Sequence, residues 1–250
     1  VNFLIIAAIA SGLLVDQRWA IHGQPVVSAF IWILFALLVV KAPRAQRPAL
    51  FACLVIATAG EVFLSLVWGL YEYRLGNIPL FVPPGHVLLF YLGIQLAERL
   101  PAGREWWIAG VALPLVAALA WAGQDTMGPW LYALFLTCLV VSPSRRLYAV
   151  MFVLSLAMEV YGTWIGNWRW SPEVPFLGCS ADNPPLAAGA FYCVLDLLVV
   201  TLVGRPGRSR SPARTGAIRV LAFQSPASAG GSAITDSHHA ATWSTRSSSR

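Results

Sequence analysis

Two glutamates stand where the chain is otherwise most apolar, and the residues that follow each of them come in the same order. Glu61 opens EVFLSLVWGLYEYRLGNIPLFVPP, and Glu159 opens EVYGTWIGNWRWSPEVPFLGCSADNPP. Each carboxyl leads to an aromatic-x-aromatic, Tyr71 and Tyr73 in the first copy, Trp168 and Trp170 in the second. Each stretch then closes on a Pro-Pro, Pro83-Pro84 or Pro184-Pro185. A carboxyl inside a long apolar run is expensive unless it faces a bundle interior, a partner or a water-filled cavity. Low-dielectric surroundings favour its neutral form, which leaves it a proton to donate. Glu61 and Glu159 are therefore candidates for general acid, general base or proton relay. Asp196 joins them: it lies eleven residues past Pro185, as Gln95 lies eleven past Pro84, both inside apolar runs. If the runs carrying Glu159 and Asp196 pack as a hairpin, the two carboxyls meet and can share a proton. The competing role is packing alone, with each carboxyl hydrogen-bonded across a helix contact.

Around these carboxyls stands a second group of candidates, for binding. His86 follows Pro83-Pro84-Gly85, and its imidazole can act as acid, base, ligand or simple cap. Tyr71, Tyr73 and Arg74 in one link, and Trp168 and Trp170 in the other, either form an aromatic belt at a membrane interface or fold back into the bundle. Asn183, before Pro184-Pro185, offers a side-chain amide there, and Gln95 a further polar group. Cys53, Cys138, Cys179 and Cys193 are widely spaced, form no CxxC and read as packing residues. No set with metal-ligand spacing is present, and no P-loop or dinucleotide fingerprint, so chemistry here is expected to be acid-base and cofactor-free.

What must position these residues is a set of helices. The chain of 250 residues is 58% hydrophobic and 11% charged, far from the roughly 25% charged residues of a soluble domain. Apolar runs near 1 to 15, 26 to 40, 48 to 72, 79 to 97, 106 to 122, 129 to 142, 147 to 167 and 186 to 203 predict eight transmembrane helices in an all-α polytopic membrane protein. The first run lacks a positively charged n-region and is read as an uncleaved helix. Lys41, Arg44, Arg47, Arg99, Arg104, Arg145 and Arg146 fall in even-numbered connections, against Arg18, Arg74 and Arg169 in odd ones. The positive-inside bias puts both termini in the cytoplasm of a bacterial-type inner membrane and the aromatic links outside. Four spans per copy preserve orientation, so the repeats, about 1 to 98 and 106 to 203, should be parallel about an axis along the membrane normal. By rise per residue Glu61 lies roughly 20 Å from Pro48, and Glu159 at a comparable depth. The net charge of +6 resides in residues 205 to 250, because residues 1 to 204 carry ten Lys/Arg and ten Asp/Glu. That Arg/Ser-rich segment has no apolar periodicity and is expected to be a disordered cytoplasmic tail.

The stretch from Glu61 to Leu92, with its glutamate, Gly69-x-Tyr71-x-Tyr73, Leu75-Gly76 and proline-rich helix start, resembles the carotenoid hydratase family of integral membrane proteins. The resemblance covers about 30 residues of one copy and implies that Glu61 protonates a polyene. The second copy departs from it, with Trp168 and Trp170 for the tyrosines and an inserted Cys179-SAD-Asn183. Three readings follow: an intramembrane acid-base enzyme on an apolar lipid or isoprenoid, a proton- or cation-coupled transporter, or a structural membrane protein without catalysis. Membrane lipid and an apolar small molecule are the expected partners, nucleic acid is not, and the oligomeric state stays open.

Overall fold

In a computed structural model, which describes residues 2–204, eight helices account for most of the chain. They are α1 Asn2–Arg18, α2 Ala20–Lys41, α3 Arg47–Glu61, α4 Val82–Ala97, α5 Arg104–Trp121, α6 Gly128–Val141, α7 Arg145–Ile165 and α8 Gly189–Gly204. Three stretches, His22–Lys41, Arg47–Val67 and Arg145–Ile165, are long and apolar enough to cross a membrane. Val82–Ala97, Gly128–Val141 and Gly189–Val203 are apolar but shorter. The tail expected to be disordered lies outside the described residues.

Helix boundaries follow the local chemistry. Prolines occupy the first turns of α3, α4 and α6, where a missing N–H costs nothing. Arg47 donates from Nε to Ala42 O (3.2 Å) and from Nη2 to Val40 O (3.0 Å), satisfying carbonyls that the end of α2 leaves free. Gly166, at φ 85°, ends α7 in the left-handed conformation that glycine adopts without strain.

The structure departs from the expected runs in three places. The link expected over 16 to 25 is absent: α1 and α2 meet at Trp19, and Gly23 of α2 lies against the backbone of Val15 and Asp16 where no Cβ would fit. The run from 48 to 72 is not one α-helix, because after Glu61 the chain widens into a π-helical turn, Val62–Val67. The aromatic links are not wholly irregular. They hold two short ribbons, β1 Tyr71–Tyr73 with β2 Trp168–Trp170, and β3 Glu173–Val174 with β4 Cys179–Ser180.

The core is a ring of four helices. α3 packs on α4 and α8, and α7 packs on α8 and α4; α2 rests on α4, and α6 on α8. α1 leans on α2, α4 and α7, whereas α5 leans on α6 and α7. Two close approaches use glycine: Gly93 of α4 receives Met151 of α7, and Gly189 of α8 lies on the Phe152 backbone of α7. Outside the ring the helices present large apolar side chains, including Phe3, Val40, Trp107, Trp121 and Trp164.

One end of the bundle is closed by the first ribbon. β1 and β2 run antiparallel, with Tyr71 opposite Trp170, Glu72 opposite Arg169 and Tyr73 opposite Trp168. The ladder continues through Ser171 N to Leu70 O (2.8 Å) and Arg74 N to Asn167 O (2.9 Å). Strand alternation sends Tyr71, Tyr73, Trp168 and Trp170 inward and leaves Glu72 and Arg169 exposed. Asp16 at the end of α1 ties this ribbon to the bundle: it accepts Asn167 Nδ2 (2.9 Å) and pairs with Arg74 (3.5 Å).

Candidate functional site

Glu61 ends the α-helical part of α3, and the residue is 6% exposed. The ribbon reaches down to it: Tyr71 and Tyr73 both donate their hydroxyls to Oε2, at 2.8 and 2.7 Å. Burial, with the Glu61 charge beside them, pushes both phenols well above the usual tyrosine range, so they stay protonated donors. Oε1 accepts no hydrogen bond and faces His86 Nε2 at 3.7 Å. The other ring nitrogen, Nδ1, is 3.2 Å from Val82 O. A carbonyl only accepts, so Nδ1 carries a hydrogen, and Nε2 is the ring nitrogen turned towards Oε1.

Glu159, 5% exposed, sits in the middle turns of α7. Its Oε2 accepts the indole N–H of Trp168 (2.7 Å) and of Trp170 (3.0 Å), and its Oε1 accepts the Tyr192 hydroxyl (2.9 Å). An indole N–H only donates, so Oε2 accepts from both tryptophans, and the Tyr192 hydroxyl completes a set of three polar neighbours around the carboxyl. Trp168 reaches it by lying over Gly162, where a Cβ would strike the ring. The two carboxyl sites touch through one stacked pair, His86 on Tyr192, with ring centroids 4.7 Å apart and planes 7° apart. Tyr71 also packs on Trp170, at 5.1 Å.

Two apolar cavities meet at this centre. One, of about 60 Å³, lies towards α1 and α2, between Gly12, Val27, Ile31 and the ribbon. The other, of about 440 Å³, opens between α3, α6 and α8, past Ala57, Phe63, Leu134 and Phe191. Glu61, Tyr71, His86, Glu159 and Tyr192 wall both. No lysine or arginine lines either cavity among the described residues. Nor do three His, Cys, Asp or Glu side chains stand together to hold a metal ion among those residues.

Of the residues singled out in the sequence, Glu61, Glu159, His86, Tyr71, Tyr73, Trp168 and Trp170 thus converge. Arg74 and Asn183 play other parts: Arg74 donates to Asp16 O (2.6 Å), and Asn183 Oδ1 accepts the Trp170 backbone N–H (2.9 Å), so both brace the ribbon. Gln95 is half-buried on α4 and lines neither cavity. Asp196 does not meet Glu159. The hairpin of α7 and α8 forms, but Gly189 lies beside Phe152 and Cys193 Sγ donates to Tyr148 O (3.2 Å), which sets Asp196 level with the first turns of α7. Eleven residues of helix, roughly 16 Å, separate Tyr148 from Glu159. Asp196 is 1% exposed there, with Oδ2 unpartnered.

Tyr192 was missed by sequence reasoning, although a signal existed. It lies seven residues past Pro185, as Tyr91 lies seven past Pro84, the count that matched Asp196 with Gln95. Asp125 was also missed: its Oδ1 accepts Gly128 N (2.9 Å) and its Oδ2 accepts Leu186 N (3.0 Å), fixing the start of α6 and the approach to α8. Comparison with protein-family models, with curated proteins and with solved structures finds no match to this chain.

Proposed function

We propose that this chain is a multi-pass protein of a bacterial-type cytoplasmic membrane, with eight transmembrane helices in two parallel repeats, and that it performs acid-base chemistry on an apolar lipid or isoprenoid. The apolar girdle and the three long apolar helices support the membrane reading. Three reciprocal pairs support the repeat: α3 on α8 with α7 on α4, α2 on α4 with α6 on α8, and a β1–β2 register centred on Glu72 and Arg169. A two-fold axis through that last pair carries Tyr71 onto Trp168 and Tyr73 onto Trp170. The first helix of each copy departs from it in part: α1 and α5 each pack on the helix that follows, but α1 also reaches α4 and α7, whereas α5 reaches α7.

The observation that carries the chemistry is that Glu61 and Glu159 wall the same two apolar cavities, one beside an imidazole and the other among donors only. Glu61 and His86 hold the proton that is delivered to a substrate double bond. The new C–H bond takes the π electron pair and leaves a carbocation. Glu159 and the rings of Tyr71, Trp170 and Tyr192 stabilise that charge in a largely apolar cavity. The cation then loses a neighbouring proton to a carboxylate, giving an isomer, or takes up water and passes the oxonium proton to a carboxylate, giving an alcohol. The partial likeness to carotenoid hydratases points the same way, with Glu61 as the acid.

Glu61→Gln and Glu159→Gln keep size and remove the acid or the anion. Either change should lower product formation by about 10²- to 10⁴-fold, the usual worth of positioned acid-base groups, while the protein still assembles in the membrane. Normal product levels in both assembled variants would reduce the carboxyls to a packing role.

A further inference from the structure

We propose that the centre between Glu61 and Glu159 is a binding site for an apolar organic cation, an alkylammonium ion whose head lies among the aromatic rings and whose chain fills the 440 Å³ cavity. The argument begins with charge. Glu61 and Glu159 are both buried, and every hydrogen bond they accept comes from a neutral phenol or indole. Those donors orient the carboxyls without neutralising them. Buried carboxylates need a countercharge, and no lysine or arginine lines either cavity among the described residues. A buried carboxyl without such a partner keeps a proton, and an organic cation can take that proton's place. Glu61, whose Oε1 accepts no hydrogen bond, lines that cavity.

The shape of the wall selects the kind of cation. A hydrated metal ion needs several oxygen, nitrogen or sulfur ligands, and no such group of His, Cys, Asp or Glu is present among the described residues. Aromatic side chains instead suit a large, weakly hydrated cation, and Tyr71, Trp170 and Tyr192 line the cavity beside the carboxyls, Tyr192 with one face stacked on His86. Past the rings the cavity is lined by Ile56, Leu134 and Leu198, which fits an alkyl chain. The proposal uses the site of the acid-base reading but does not require turnover.

The test uses the full chain in lipid nanodiscs with hexyltrimethylammonium as probe, followed by calorimetry and by tryptophan fluorescence. Hexan-1-ol and hexyl sulfate, added at the same concentrations, control for partition into lipid. Saturable binding is expected for the ammonium ion alone, weakened about tenfold or more by Glu159→Gln. The titratable groups facing the bound cation are Glu61, Glu159, His86, Tyr71 and Tyr192, with Tyr73 in the narrower cavity. Because the cation replaces the proton held by Glu61 and His86, binding by the unaltered protein should release a proton, read in buffers of different ionisation heat. Proton release needs no variant, so a misfolded Glu159→Gln leaves the test intact. Equal binding of hexan-1-ol, or no saturable binding of the ammonium ion, overturns the cation site even if the glutamine variants abolish product formation. Cation binding by a protein whose glutamine variants keep normal product levels upholds the cation site and rejects the acid-base reading.

Discussion

At the scale of single residues, the two glutamates are equivalent in sequence and different in surroundings. Glu61 meets two phenols and an imidazole, whereas Glu159 meets two indoles and one phenol. The difference could be read in part from the chain, since the tyrosine and tryptophan pairs and His86 are visible in it. What the chain hid was distance across helices. Tyr192 donates to a residue 33 positions away, and Asp196 was set aside because the α7–α8 register, fixed by Gly189 against Phe152, is a packing property. The phenols give a pH test. Tyr71 and Tyr73 are held protonated in the folded state, while in the unfolded chain they ionise near pH 10. Their contribution is therefore fully present below about pH 10 and is lost as pH rises towards their folded values, by up to about 1.4 kcal/mol per pH unit for each tyrosine. Replacing both by Phe should flatten the alkaline limb of stability against pH. It should also cost about 1.5–3 kcal/mol per hydroxyl at neutral pH, as lost hydrogen bonds to a charged group. An unchanged alkaline limb in chemical denaturation would count against these hydroxyls as buried donors.

At the scale of elements, apolar runs and their bounding charges located six of the eight helices to within a few residues, because helix length and hydropathy are local properties; α2 begins well before its run, and the run from 48 to 72 outlasts α3. The ribbons escaped, since three residues such as Tyr71–Tyr73 acquire strand character only by pairing with a segment about a hundred positions away. The π-helical turn after Glu61 escaped for a similar reason: nothing in VFLSLV marks it. These elements nevertheless decide where the aromatic donors point. Gly162 shows how narrow the tolerance is, because Trp168 lies over it on the way to Glu159. Gly162→Ala should push the indole aside and cost about 1–3 kcal/mol, the range for overpacking a tight contact. Thermal melting would show the loss, and a shift in tryptophan emission would locate it; a variant with wild-type melting and emission would contradict this packing.

At the scale of the molecule, the helices form a four-membered ring, with a carboxyl in each of two opposite members and an aromatic ribbon closing one end. The sequence repeat predicted a pair of matching helices whose glutamates point into the bundle and converge on one pocket with Asp196, Gln95 or His86. It did not predict that β1 and β2 would join the pair or that two cavities would meet there, because those features depend on how the copies dock. The central claim is that this centre moves protons on an apolar substrate, and the most direct measurement is a lipid extract made after growth in deuterium oxide. Mass spectra of extracts from cells with the protein, without it, and with Glu61→Gln and Glu159→Gln together should differ in one apolar species, carrying deuterium on carbon, that only the unaltered protein produces. Identical extracts from all three, with the protein assembled in the membrane, would contradict the account.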